Sequence, residues 1–167
     1  LALIARQGAR AFYQGAIGRQ IAAEMTARGG LITLADLARY RVVERPPVLG
    51  SYRGYQIVSM PPPSSGGFAL LQFLGIKDLL TPQFQGLERN SAQYVHLLAE
   101  MLKRVYADRA EYLGDPGYAE VPLAALLDPA YVAARAAAVD RAAISPVERV
   151  RPGLEPRHTT HFSIVDA

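Results

Sequence analysis

Apolar residues recur every four positions at Ile17, Ile21 and Met25, the spacing that lines one face of a helix, and predict a helix over about 17–27. A shorter helical stretch over about 1–7 precedes it, and Gly29-Gly30 follows it as a C-terminal cap. Thr33 stands three residues before Asp36, a variant of the capping box, and opens a helix of about two turns through Leu34, Leu37 and Ala38. From Tyr40 the chain turns to β-branched and aromatic residues, and Pro46-Pro47 excludes a continuing helix because proline lacks the N–H donor and clashes with the preceding turn. Residues 48–52 and 55–60 flank Arg53-Gly54, the pattern of a hairpin whose glycine takes a positive φ.

Met60-Pro61-Pro62-Pro63-Ser64-Ser65-Gly66-Gly67 combines three fixed φ angles with two permissive glycines and reads as a rigid connection from strand to helix. It lacks the lysine and the spacing of a phosphate-binding loop. Helical spacing returns over 68–80, and 81–90 reads as a polar loop. The longest helix is predicted over 91–113, with Val95, Leu98, Met101, Leu102, Val105 and Tyr112 on one face, His96 on the opposite polar side, and Gly114-Asp115-Pro116 ending it. Asp128 as N-cap with Pro129 in the first helical position opens an alanine-rich helix to about Val139. Three prolines without an apolar period make 144–158 an irregular, exposed linker, and 159–165 has the composition of a strand.

A chain of 167 residues is long enough for one domain with a real core. Half of its residues are hydrophobic and a fifth charged, yet no apolar run approaches the roughly 20 residues that cross a bilayer. The net charge of +3 is uneven: eight arginines against three acids lie in the first 60 residues. Those arginines are spread along the segment, two to eleven residues apart, without the clustering and interleaved aromatics of a nucleic-acid surface. The absence of cysteine excludes disulfides and thiolate metal sites. Leu1-Ala2-Leu3-Ile4-Ala5-Arg6 has neither a charged n-region nor a cleavage signal, and both ends of the sequence read as cuts through a longer chain.

Spacing alone identifies little chemistry. His158 and His161 are three apart in an extended segment, which places them on opposite faces and not around one metal ion. Asp108, Glu111 and Asp115, with Arg104 and Arg109 at helical spacing, read as surface ion pairs. Thr159-Thr160 is an ordinary strand start by composition.

Four segments in order resemble the γ-glutamyltranspeptidase family: Arg45-Pro46-Pro47 with Tyr52-Arg53-Gly54-Tyr55, Met60 to Gly67, Tyr106-Ala107-Asp108-Arg109-Ala110-Glu111-Tyr112-Leu113-Gly114-Asp115-Pro116, and Thr159-Thr160-His161-Phe162-Ser163. The resemblance implies an α+β chain, mostly helical with a few strands, that forms part of the four-layer αββα N-terminal-nucleophile hydrolase fold. It implies that 1–158 is the C-terminal part of a large subunit and 159–167 the N-terminal strand of a small subunit, in one domain incomplete at both ends. It makes His158-Thr159 the self-cleavage site and Thr159 the catalytic nucleophile, with no cofactor and no metal. The implied reaction is transfer of a γ-glutamyl group, from glutathione or another γ-glutamyl compound, to an amino acid, a peptide or water. The family's carboxylate-binding arginine would lie upstream of Leu1, and its second threonine, glutamate-binding residues and oxyanion glycines beyond Ala167. A periplasmic or secreted location is implied as well. An acylase acting on glutaryl-type amides, a non-maturing scaffold homologue and a purely structural fragment are the alternative functions.

Overall fold

A computed structural model describes residues 1–154, which divide into two compact units, Leu1–Glu44 and a second that begins at Arg45, where length alone suggested one. In the first unit α1 (Ala2–Gln7), α2 (Ala9–Tyr13), α3 (Ala16–Ala27) and α4 (Leu34–Arg39) follow one another closely. α1 ends at Gln7 as expected, Gly8 breaks the chain there with a φ of 63°, and α2 after it was not anticipated. The end of α3 is capped as expected, the Gly30 N–H donating to the Met25 carbonyl at 2.7 Å. The capping box of α4 also forms: the Asp36 N–H donates to Thr33 Oγ1 at 3.2 Å, and the Thr33 N–H donates to the Asp36 carboxylate at 2.9 Å. The Thr33 hydroxyl, which itself donates to the Asp36 carboxylate, and the Thr33 N–H, with Arg39 adding to them, hold the Asp36 carboxyl at about 2. Ala11 is this unit's one buried hydrophobic side chain, and Leu31 and Val42 are 91% and 81% exposed.

The second unit opens on an antiparallel hairpin of β1 (Val48–Tyr52) and β2 (Tyr55–Ser59), registered from Val48 opposite Ser59 to Tyr52 opposite Tyr55. Arg53 and Gly54 both take positive φ, 49° and 83°, as the tight two-residue turn requires. The polyproline connection delivers the chain to α5 (Gly66–Leu79), two residues earlier than the apolar period suggested. Gly67 sits against the hairpin so closely that a Cβ there would lie 2.4 Å from the Met60 carbonyl oxygen and 3.1 Å from Val48 Cβ.

Short helix α6 (Thr81–Phe84) corrects the expectation of a polar loop over 81–90, and a second short helix, α8 (Leu123–Leu126), precedes Asp128. The long helix forms as α7 (Ala92–Tyr112), capped by Ser91 Oγ, which accepts the Tyr94 N–H at 3.3 Å. α9 (Pro129–Ala137) follows from the cap at Asp128, whose carboxylate accepts from Ala130 and Tyr131. Phe68 and Ile76 of α5, Leu97, Met101 and Val105 of α7, Leu126, and Val132 and Ala136 of α9 close the core. Val95 and Leu102, assigned by periodicity to the buried face of α7, are exposed. Their places are taken by Leu97, Glu100, Arg104 and Asp108, because the buried stripe of this helix admits charged residues. No helix among the described residues is long and apolar enough to cross a membrane.

Candidate functional site

His158 and Thr159, the residues carrying the sequence-derived chemistry, lie outside the described residues, as do His161 and the strand expected from Thr159 onward. The structure describes the chain that leads to them and what holds it. Among the described residues no three His, Cys, Asp or Glu side chains gather as a metal site would require. An open cleft in the second unit, about 780 Å³ beside Pro46, Pro61, Leu123 and Leu127, has no hydroxyl or imidazole side chain in its lining.

Residues 144–154 are irregular and mostly exposed, as expected, apart from a 3-10 turn at Val147–Arg149, but their backbone is tied down. Two charged groups of α7 organise this. Glu100, 1% exposed, accepts from Lys103 Nζ at 2.6 Å, Arg104 Nη1 at 2.8 Å and the Ser145 N–H at 3.1 Å. Burial pushes its carboxyl up, but the bonds from Lys103, Ser145 and Arg104 outweigh that and hold it at about 2. Arg104 also reaches across to the Ala138 carbonyl and to Ser145 Oγ, and Lys103 Nζ donates to the Ser145 carbonyl at 2.8 Å. The start of the linker is thus anchored to α7, and Arg104 joins both to the end of α9.

The second group centres on Asp108, which is fully buried. It accepts from Gln72 Nε2 at 3.0 Å and from the Gly153 N–H at 3.1 Å, and it pairs with Arg135 Nη2 at 3.1 Å. Arg135 in turn donates to the carbonyls of Arg104 and Arg151, at 2.6 and 2.9 Å. The Tyr112 hydroxyl donates to the Leu154 carbonyl at 2.7 Å. Burial first, and then the nearby Asp108 charge, raise the phenols of Tyr112 and Tyr131 above the ordinary tyrosine range, so both stay protonated.

This arrangement corrects the expected surface ion pairs. Arg104 and Asp108 are interior, and their partners are Glu100 and Arg135. Asp115 pairs with Arg45 at 2.8 Å, while Arg109 donates to Ser65 Oγ at 2.8 Å and ties α7 to the polyproline connection. His96 is half-buried with Nε2 3.0 Å from the Asp140 carbonyl, a contact to backbone and not to a reacting group. Sequence reasoning missed Glu100, Tyr112, Tyr131 and Arg135. The signal available was the 100–104–108 spacing, which lies on the same stripe as 97–101–105.

The family described as Gamma-glutamyltranspeptidase matches the chain over residues 1–167. The chain belongs to the γ-glutamyltranspeptidase family. A glutathione hydrolase proenzyme from Pseudomonas aeruginosa is 55% identical over 164 residues, covering 98% of this chain and 29% of the relative. An acylase ACY 1 proenzyme from Pseudomonas sp. (strain SE83) is 44% identical over 167 residues, covering 100% of this chain and 30% of that relative. Among solved structures, a γ-glutamyltranspeptidase from Pseudomonas nitroreducens complexed with L-DON superposes with a TM-score of 0.84 at 49% identity, covering 91% of this chain and 45% of that one. The chain therefore spans about 29% of the length of the first of these relatives. The likeness to the γ-glutamyltranspeptidase structure bears out the α+β class, mostly helical with one small sheet, as part of the N-terminal-nucleophile hydrolase fold.

Proposed function

We propose that the protein of which these residues form part is a γ-glutamyltransferase and glutathione hydrolase, made as a proenzyme that cuts itself between His158 and Thr159. The observation that carries this is Thr159-Thr160-His161 standing in a chain that belongs to the γ-glutamyltranspeptidase family along its whole length. The proenzyme name of the P. aeruginosa relative supports the maturation step.

The chemistry balances within the chain and one water. Thr159 Oγ attacks the His158 carbonyl carbon, the C–N bond breaks as the ester forms, and the hydroxyl proton ends on the freed amine. Water then hydrolyses the ester, leaving the His158 carboxylate and restoring the hydroxyl. The α-amine so exposed has a reference pKa of about 7.7–8.0, so part of it is neutral at physiological pH and can accept the proton of its own hydroxyl. Nucleophile and base then reside on one residue, and the uncut chain, whose nitrogen is an amide, lacks that base. Attack on a γ-glutamyl amide gives a γ-glutamyl ester on Thr159, which an amino acid, a peptide or water resolves. In this proposal residues 1–158 end the large subunit, residues 159–167 begin the small one, and the enzyme acts in the periplasm or outside the cell.

Acyl transfer from glutaryl-type amides is the second reading, favoured by the 44% identity to the acylase. The higher identity to the glutathione hydrolase supports the γ-glutamyl substrate. Release of nitroaniline by the full-length protein tests the choice. The γ-glutamyl anilide should turn over and the glutaryl anilide barely, with Thr159→Ala abolishing both; faster release from the glutaryl compound would favour the acylase.

A further inference from the structure

Three backbone groups shortly before the proposed junction are held by side chains of two helices. The Arg151 carbonyl accepts from Arg135 Nη1 at 2.9 Å. The Gly153 N–H is shared between Asp108 Oδ1 and the Tyr131 hydroxyl oxygen, each at 3.1 Å. The Leu154 carbonyl accepts from the Tyr112 hydroxyl at 2.7 Å, and the Leu154 side chain packs against the core. Asp108 and Tyr112 lie on α7, Tyr131 and Arg135 on α9. The holders are themselves fixed, since Asp108 is bonded to Gln72 and Arg135, and Arg135 to the Arg104 carbonyl. Gly153 fits without room to spare: a Cβ there would lie 2.5 Å from the Tyr131 hydroxyl oxygen and 2.9 Å from its ring.

An irregular segment containing Pro152 has no ladder of its own, and fixing each residue of such a segment costs conformational freedom. Side-chain bonds to 151, 153 and 154 fix it in the folded protein before any chemistry begins. Four residue steps, reaching at most about 14 Å, lead from Leu154 to His158. Intramolecular attack is fast when the reacting groups are already confined and oriented, and slows when their approach is left to a longer free tether.

We propose that Asp108, Tyr112, Tyr131 and Arg135 form a clamp that positions the chain for cleavage between His158 and Thr159, acting through the backbone of residues 151–154. The clamp rests on the maturation reading given above. These are positioning residues: their effect falls on the rate of self-cleavage and not on turnover after it, because the cut separates residues 1–158 from the threonine that performs turnover.

The test follows cleavage of the full-length proenzyme over time on gels. In the double variant Tyr112→Phe with Tyr131→Phe, both rings remain and the hydroxyls that meet the linker are gone. One hydrogen bond of ordinary strength corresponds to roughly a fivefold change in rate, so the double variant should mature about tenfold or more slowly. Its cleaved fraction should show the wild-type kcat and KM per exposed Thr159. Tyr106→Phe, which removes a hydroxyl from an exposed tyrosine with no hydrogen bond to the linker among the described residues, should mature at the wild-type rate. If the double variant does not accumulate as folded protein, Gly153→Ala disrupts the same clamp from the linker side and should slow cleavage likewise. Wild-type cleavage rates in the clamp variants would overturn the proposal. So would slow cleavage accompanied by a matching loss of kcat or a changed KM, which would assign the tyrosines to general packing. A wild-type protein that never cuts itself would overturn the maturation reading and the clamp with it, and that outcome is distinguishable because it needs no variant.

Discussion

At Glu100 two influences oppose one another. Burial alone would favour the neutral acid, but the bonds from Lys103, the Ser145 N–H and Arg104 keep the carboxylate ionised and lower its pKa from 4.5 to about 2. A carboxyl whose folded value lies below its unfolded one stabilises the protein fully above the unfolded value, and that contribution is lost as pH falls through the folded value. The window is therefore about pH 4.5 down to about 2, and the linked stability is about 3 kcal/mol. Thermal unfolding measured across that range should show the wild type losing stability with acid. Glu100→Gln should be less stable at neutral pH, because the ion pairs are gone, and should show a shallower acid slope. Parallel slopes for the two proteins would remove Glu100 from the account. The residue also shows why parts of this site were illegible in the sequence. A glutamate and an arginine at helical spacing look like a solvated surface pair, and only packing against α9 and the linker reveals them as interior anchors.

Among the elements, caps and turns were readable because their chemistry is local. Thr33 with Asp36, Ser91, Asp128 with Pro129, and Arg53-Gly54 each begin or turn an element where the residue types demand it. The faces were less readable. Val95 and Leu102 follow the apolar period of α7 yet lie outside, while Arg104 and Asp108 break it and lie inside, as Gln72 does in α5. Short α6 and α8 escaped notice because four residues carry no period. The two glycines opening α5 provide an element-scale test. Gly66→Ala adds a methyl whose nearest neighbour is Ser64 Oγ at 3.4 Å, an ordinary contact. Gly67→Ala drives a methyl into the Met60 carbonyl at 2.4 Å, and overpacking of this kind costs about 1–3 kcal/mol. Chemical denaturation of the full-length protein should find the first variant close to wild type and the second clearly destabilised. Equal effects would show that the hairpin and α5 are not packed as closely as the structure has them.

For the molecule as a whole, the division of labour is uneven. The second unit carries a closed core and the anchored linker, whereas the unit Leu1–Glu44 buries little and leaves Leu31 and Val42 open. A chain that spans about 29% of its relative's length is not expected to enclose a complete substrate pocket. The ordered motifs made the family legible, since four segments at four separate places in the chain point the same way. The junction itself carries no such signal in its own composition, because two threonines before apolar residues also begin ordinary strands. Its meaning depends on family membership and on the proposed self-cleavage. Intact mass and N-terminal sequencing of the purified full-length protein, beside Thr159→Ala, test that claim most directly. The account predicts two pieces from the wild type, the smaller beginning Thr-Thr-His-Phe-Ser, and a single uncut chain from the variant. A wild-type chain that stays whole, or a cut at any other bond, would contradict it.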